Sequence, residues 1–283
     1  MILQEIQTQN GLIMPATPIN SIRFNTRCTG EGPAFIWGHG LMASMKSEDL
    51  VDLFEWDNFP ETNRLIRYDA RGHGETQPTF FPEDYHWKQL AKDMLAVAES
   101  YGETRVIAGG QSMGCATAIY SACIAPKKIK GLILVNPPTA WETRAEQGKL
   151  YNKMATTGRL LGGGMLARMM RNKLSRLLPQ WLIDAKKGRV EGALEGLKPL
   201  KRKTLFNLFK GAALTDLPSG ETIKKIQVPC LILGWTGDPT HPVETAKEIH
   251  RLLPDSELVI ANGYSDFKKW PGLIRDFVKN NDK

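Results

Sequence analysis

The chain is poor in the residues that mark several large protein classes. Among its 283 residues only four are cysteines, Cys28, Cys115, Cys123 and Cys230, and none form a C-x-x-C pair. That excludes a disulfide scaffold and a zinc ribbon, and predicts reduced, buried thiols in a cytoplasmic protein. No apolar run approaches the roughly 20 residues that cross a bilayer. Met1–Ile13 carries Gln and Glu where a secretory signal has a basic start and an apolar core, so no signal peptide is expected. The five histidines show no H-x-x-x-H spacing and no carboxylate cluster nearby, so no metal site is expected. The triple glycine Gly162–Gly164 follows no strand and is not a dinucleotide fingerprint, and no cofactor is predicted. Basic and aromatic residues do not interleave as in a nucleic-acid groove. Repeats and low-complexity tracts are also missing.

What remains is ordinary globular composition, 42% hydrophobic and 24% charged, enough for one large domain or a core with an insertion. Short apolar runs at Ile22–Cys28, Ala34–Gly38, Arg64–Tyr68, Val106–Gly109, Gly131–Val135, Cys230–Leu233 and Leu258–Ala261 read as strands. Met45–Trp56, Tyr85–Tyr101, Met113–Ile124, Val243–Leu253 and Trp270–Asn280 read as helices. Buried strands alternating with helices predict a mostly parallel sheet covered on both faces. From Thr139 to Ala212 no strand can be read, so residues 139–212 are expected to be a helical cap inserted into a core of residues 1–138 and 213–283.

The formal charge of +7 is concentrated in this insertion. Trp141–Lys203 holds 15 Lys or Arg against 5 Asp or Glu. Met165, Leu166, Met169, Met170, Leu174, Leu177, Leu178, Trp181 and Leu182 repeat at helical spacing, with Arg168, Arg171, Lys173 and Arg176 opposite. The stripe is expected to face the core, with Met165, Met169 and Trp181 lining an apolar substrate pocket. A basic amphipathic helix also suits a membrane surface. A helix covering the core already accounts for one apolar face, so a membrane role is not expected. Monomer and homodimer stay equally open.

The chemistry concentrates at Gly110-Gln111-Ser112-Met113-Gly114, a G-x-S-x-G turn that ends an apolar strand and opens a helix. Such a turn lifts the serine hydroxyl above the sheet, and the helix N-terminus favours negative charge beside it. Gly38-His39-Gly40-Leu41 ends another strand at the same sheet edge. The N–H groups of Leu41 and Met113 are candidates for an oxyanion hole. His39 is expected to brace its loop and border the substrate rather than act as base.

With Tyr68-Asp69-Ala70-Arg71-Gly72-His73-Gly74, a D-x-R-G-x-G loop, and Asn136-Pro137-Pro138, the chain resembles the α/β-hydrolase superfamily. It is most similar to the small capped hydrolases that include enol-lactonases and esterases. The resemblance implies a cofactor-independent serine hydrolase of a carboxylic ester, lactone or thioester, with Ser112 as nucleophile. It also implies Asp238, in Leu231–Asp238, as the acid that orients the catalytic histidine.

One position departs from the family. Where the family reads A-x-G-H-S-D-F, this chain reads Ala261-Asn262-Gly263-Tyr264-Ser265-Asp266-Phe267, so Tyr264 stands at the histidine position. A phenol titrating near 10 is a poor base at neutral pH, and cannot accept a proton at one atom while donating from another. The expectation is an enzyme impaired by Tyr264, or a non-catalytic ligand-binding pseudoenzyme. Two further readings stay open: His241, three residues after Asp238, as a substitute base, or activity that uses Tyr264 in an unusual role.

Overall fold

Continuous apolar runs, whose side chains point alternately to the two sides, explain how the sheet buries both faces. The computed structural model describes residues 7–8, 11–12, 19 and 21–281. The signal-peptide expectation for Met1–Ile13 therefore lies, but for two short backbone stretches, outside the described residues. The strands are β1 (Gln7–Thr8), β2 (Gly11–Leu12), β3 (Thr26–Thr29), β4 (Ala34–Gly38), β5 (Arg64–Tyr68), β6 (Val106–Gln111), β7 (Ile129–Val135), β8 (Cys230–Trp235) and β9 (Ser256–Ala261). They form one sheet in the order β1-β2-β3-β5-β4-β6-β7-β8-β9. β4 to β9 pair in parallel, while the first three strands are antiparallel to their neighbours.

On one face Ile36, Ile66, Ala108, Leu132, Leu134 and Ile232 pack against α2 (Trp87–Ser100), α3 (Met113–Ile124) and α8 (Val243–Leu252). On the other, Phe35, Trp37, Leu65, Ile107, Ile133 and Leu233 meet α9 (Tyr264–Phe267) and α10 (Trp270–Asn280). Neighbouring residues of a strand point to opposite faces, so the two cores follow from one pattern. The parallel strands all end at one edge, where β4, β5, β6 and β8 hand the chain to the His39, Asp69, Ser112 and Asp238 loops.

Between β7 and β8 run α4 (Arg144–Arg171), α5 (Gln180–Leu194) and α6 (Arg202–Ala213), with no strand among them. Tyr151, Ala155, Leu166, Ala167 and Met170 of α4 pack against Leu205, Phe209 and Ala212 of α6 in a separate small core. Leu41 and Met42 lie against that core, so the helical segment rests on the loop after β4.

Two local expectations change. The first helix, read as Met45–Trp56, is α1 (Met45–Val51), because Asp52 turns left-handed (φ 53°) and ends it; a 3-10 turn, Trp56–Asn58, follows. The apolar stripe splits. Leu166, Met170, Leu174 and Leu182 are buried, but Met165 and Met169 are 42% and 41% exposed. The expectation that the whole stripe faces the core is therefore corrected. A helix advances 100° per residue, so each member of the pairs Met165–Leu166 and Met169–Met170 faces a different way. α6 covers only the second of each. The stripe also leaves α4 at Arg171 and passes a 3-10 turn, Leu174–Arg176, before α5 begins at Gln180, so it does not run along one helix.

Candidate active site

Ser112 sits between β6 and α3 with φ 56° and ψ −109°, a strained backbone for a residue with a Cβ. Its N–H donates to Val135 O at 2.9 Å, which holds the turn against β7. The flanking glycines serve space, not backbone freedom. A Cβ on Gly110 would lie 2.4 Å from Gly114 C, and one on Gly114 only 1.9 Å from Gly38 O. Neither has a positive φ. G-x-S-x-G is thus the condition for α3 to touch β4 closely enough for Ser112 to stand at the edge.

The loop after β4 meets the turn from the side. A Cβ on Gly40 would be 3.7 Å from the Ser112 Cβ. Met113 is the first residue of α3, and its N–H belongs to the helix-start groups that lack an intrahelical acceptor. Leu41 follows Gly40 on the adjoining loop. His39 is buried, and both ring nitrogens are engaged: Ala70 N–H donates to Nε2 (3.0 Å) and Nδ1 donates to Gly40 O (2.8 Å). It braces two loops. Its ring nitrogens are thus already partnered within the protein.

The D-x-R-G-x-G loop has the same bracing purpose. Asp69 accepts from Asn25 Nδ2 (2.7 Å), Met45 N (2.7 Å) and Glu75 N (3.0 Å). Arg71 forms a buried two-pronged pair with Asp93, both contacts 2.7 Å. His73 stacks edge-on to His39 at 5.0 Å, and burial, reinforced by His39, pushes its imidazole down to about 3. Between pH 3 and 6.5 the unfolded chain then binds a proton that the native fold refuses. Stability contributed by His73 is complete above about 6.5 and drains away as pH falls toward 3. Urea midpoints at pH 7 and 4.5 should show the parent losing about 2–3 kcal/mol more than His73→Asn; equal losses would exclude this source of acid lability.

The acid loop supplies the decisive geometry. After β8, Gly237 turns left-handed (φ 83°) and Asp238 folds its carboxylate back under the loop. Oδ1 accepts from Thr240 N (2.8 Å) and His241 N (3.3 Å). Oδ2 accepts from Trp235 Nε1 (2.8 Å) and from His241 Nδ1 (2.7 Å). The other ring nitrogen, His241 Nε2, lies 2.8 Å from Ser112 Oγ. With the carboxylate at Nδ1, that nitrogen carries the proton, and Nε2 is left to accept from the serine hydroxyl. Burial alone would raise the Asp238 carboxyl. Attraction to His241, with the hydrogen bonds from His241, Trp235 and Thr240, outweighs it and holds the group below its ordinary value.

Ser112, His241 and Asp238 are therefore joined in one hydrogen-bonded line. Tyr264 is not part of it. It opens α9 and packs on Phe267 (6.0 Å) and Trp181 (6.5 Å). The expectation that Tyr264 fills the place beside Ser112 is corrected: the imidazole comes from the preceding loop. The signal was available as Asp238-Pro239-Thr240-His241. An Asp that accepts N–H bonds from the residues two and three ahead curls the chain, bringing the third residue back over its own carboxylate. Trp181 meets Trp235 edge-on (5.9 Å), the ring that donates to Asp238, and so stands one aromatic layer from the acid. Met165 and Met169 stand partly exposed on α4.

Among the described residues no cluster of His, Cys, Asp or Glu could hold a metal ion. All four cysteines are free thiols; burial pushes Cys28 and Cys123 up to about 11.

This strand–turn–helix nucleophile position on a mostly parallel sheet defines a class, and comparison agrees. The chain belongs to the alpha/beta hydrolase fold family, whose profile matches residues 33–268. It is 26% identical over 266 residues to AB hydrolase superfamily protein YisY of Bacillus subtilis, covering 88% of this chain and 92% of that one. A shorter match, 27% identical over 124 residues, covers 41% of a Haemophilus influenzae protein. Among solved structures, a thermophilic esterase from Thermogutta terrifontis superposes with TM-score 0.77 at 20% identity, covering 99% of this chain and all of that one. The enol-lactonase from Burkholderia xenovorans LB400 superposes with TM-score 0.75 at 18% identity, covering 94% and 97%. At such identities the superpositions speak for the fold. The chain is an enzyme of the hydrolase class.

Proposed function

We propose that the protein is a serine hydrolase of carboxylic esters, lactones or thioesters whose base is His241. The observation that carries this assignment is the continuous Ser112–His241–Asp238 line. Ser112 Oγ attacks the carbonyl carbon as its proton passes to His241 Nε2. The oxyanion is held by the N–H groups of Leu41 and Met113, and Asp238 supports the imidazolium. As the tetrahedral adduct collapses, the alcohol or thiol leaves with the proton from Nε2. Water then attacks the acyl-serine by the same route in reverse, releasing the acid and restoring Ser112. The helical segment 139–212 acts as a cap that shapes the acyl pocket, with Trp181 on its wall. The esterase and enol-lactonase among similar structures favour an ester or lactone. The buried free thiols suit a cytoplasmic setting.

A non-catalytic binder rested on Tyr264 as the base, and an imidazole at hydrogen-bond distance from Ser112 removes that ground. Fluorophosphonate labelling and hydrolysis of short activated esters test the proposal together. Both should be strong in the parent and absent in Ser112→Ala. A parent that neither labels nor turns over any of a panel of esters, lactones and thioesters would overturn it.

A further inference from the structure

We propose that the outward face of α4 docks on the headgroup region of an anionic phospholipid membrane. The proposal begins with an unpartnered apolar face. Leu160 and Leu161 are 64% and 51% exposed before the Gly162 kink, and Met165 and Met169 are exposed after it. The apolar side chains that α4 buries, such as Ala155, Leu166 and Met170, are already used against α6. Core packing therefore does not account for the exposed four.

Charge identifies the occupant. From Gln147 to Ile183 the chain has no Asp or Glu, while Lys149, Lys153, Arg159, Arg168, Arg171, Lys173 and Arg176 supply positive charge. Arg171 pairs with Glu195, and Lys149 with Glu146. Arg159 lies over the Phe206 ring at 5.1 Å. Arg168 and Lys173 have no carboxylate partner among the described residues. Leucines and methionines flanked by cations on a long surface helix form the arrangement that settles in the plane of a lipid interface. A second copy across this face would bring two patches of net positive charge together, which repel. No helix among the described residues is long and apolar enough to cross a membrane, so the attachment is peripheral.

The opposite side of α4 belongs to the small core that rests on Leu41 and Met42. Docking therefore sets the Ser112 edge about one helix diameter, roughly 10 Å, beneath the bilayer surface. The surface inference does not depend on the hydrolase assignment, because its test reads binding.

The full chain is sedimented with phosphatidylcholine vesicles, with and without about a third phosphatidylglycerol, in low salt and at ~0.5 M salt. Binding is expected only with phosphatidylglycerol, and salt should abolish it. Arg168→Gln/Lys173→Gln should weaken it roughly tenfold or more. Leu160→Ser/Leu161→Ser should weaken it comparably while leaving thermal midpoint and ester turnover unchanged. No binding to anionic vesicles, equal binding to neutral ones, or binding that both variants retain would overturn the proposal. So would a concentration-dependent dimer lost in Leu160→Ser/Leu161→Ser without vesicle binding, which would make the face a contact between copies.

Discussion

His241→Ala is expected to lower kcat on an activated ester by about 10⁴-fold, with KM little changed. Tyr264→Phe should stay within a few-fold of the parent. The contrast follows from geometry: Nε2 of His241 is 2.8 Å from Ser112 Oγ, while the Tyr264 ring lies in an aromatic layer with Trp181 and Phe267. Tyr264→His tests the same point from the other direction. If position 264 were the seat of the base, a histidine there would raise turnover by about 10³-fold or more. With His241 already bonded to Asp238, no such gain is expected. A large gain in Tyr264→His, or a parent-like His241→Ala, would overturn the assignment of the base.

The second large effect concerns folding. Gly→Ala at a site with room and a compatible backbone stabilises by about 0.4–1 kcal/mol, because the unfolded chain loses freedom. At Gly114 the added methyl would meet the Gly38 carbonyl at 1.9 Å, and that carbonyl is held in the sheet. Overpacking against a backbone that cannot yield costs about 1–3 kcal/mol or more, and here the sign reverses. Gly114→Ala should lower the denaturant midpoint by an amount equivalent to about 3 kcal/mol, with a fall in turnover as Ser112 shifts from His241. Gly188→Ala, in α5 with nothing within 4 Å of the new methyl, is the control and should be neutral or stabilising. Equal effects at the two glycines would show that α3 and β4 part freely.

The Ser112 elbow and the sheet were legible in the sequence because each depends on neighbours in the chain. Continuous apolar runs in Ala34–Gly38 and Gly131–Val135 report two buried faces directly. The elbow is a local contact rule, since Gly110 and Gly114 are small where β6, α3 and β4 meet. Asp238 came instead from the resemblance to the α/β-hydrolase superfamily, which places a carboxylate shortly after this strand. Tyr264 was also read in correct register; the inference from it failed because register does not tell which of two loops delivers a ring to Ser112.

That choice is tertiary. His241 and Ser112 are 129 residues apart, and their approach depends on β6, β7 and β8 lying side by side, so that two loops open over the same spot. The α4 stripe shows the same limit. Helical spacing marks which residues could be buried, but the width of the covered face is set by α6, a partner whose position no local pattern encodes. By itself the sequence determined the fold class, the serine turn at the sheet edge and the charge of the inserted helices, because each is written in short-range pattern. Only the tertiary structure decided which imidazole completes the line and which apolar residues face outward, because both are set by contacts between segments distant in the chain.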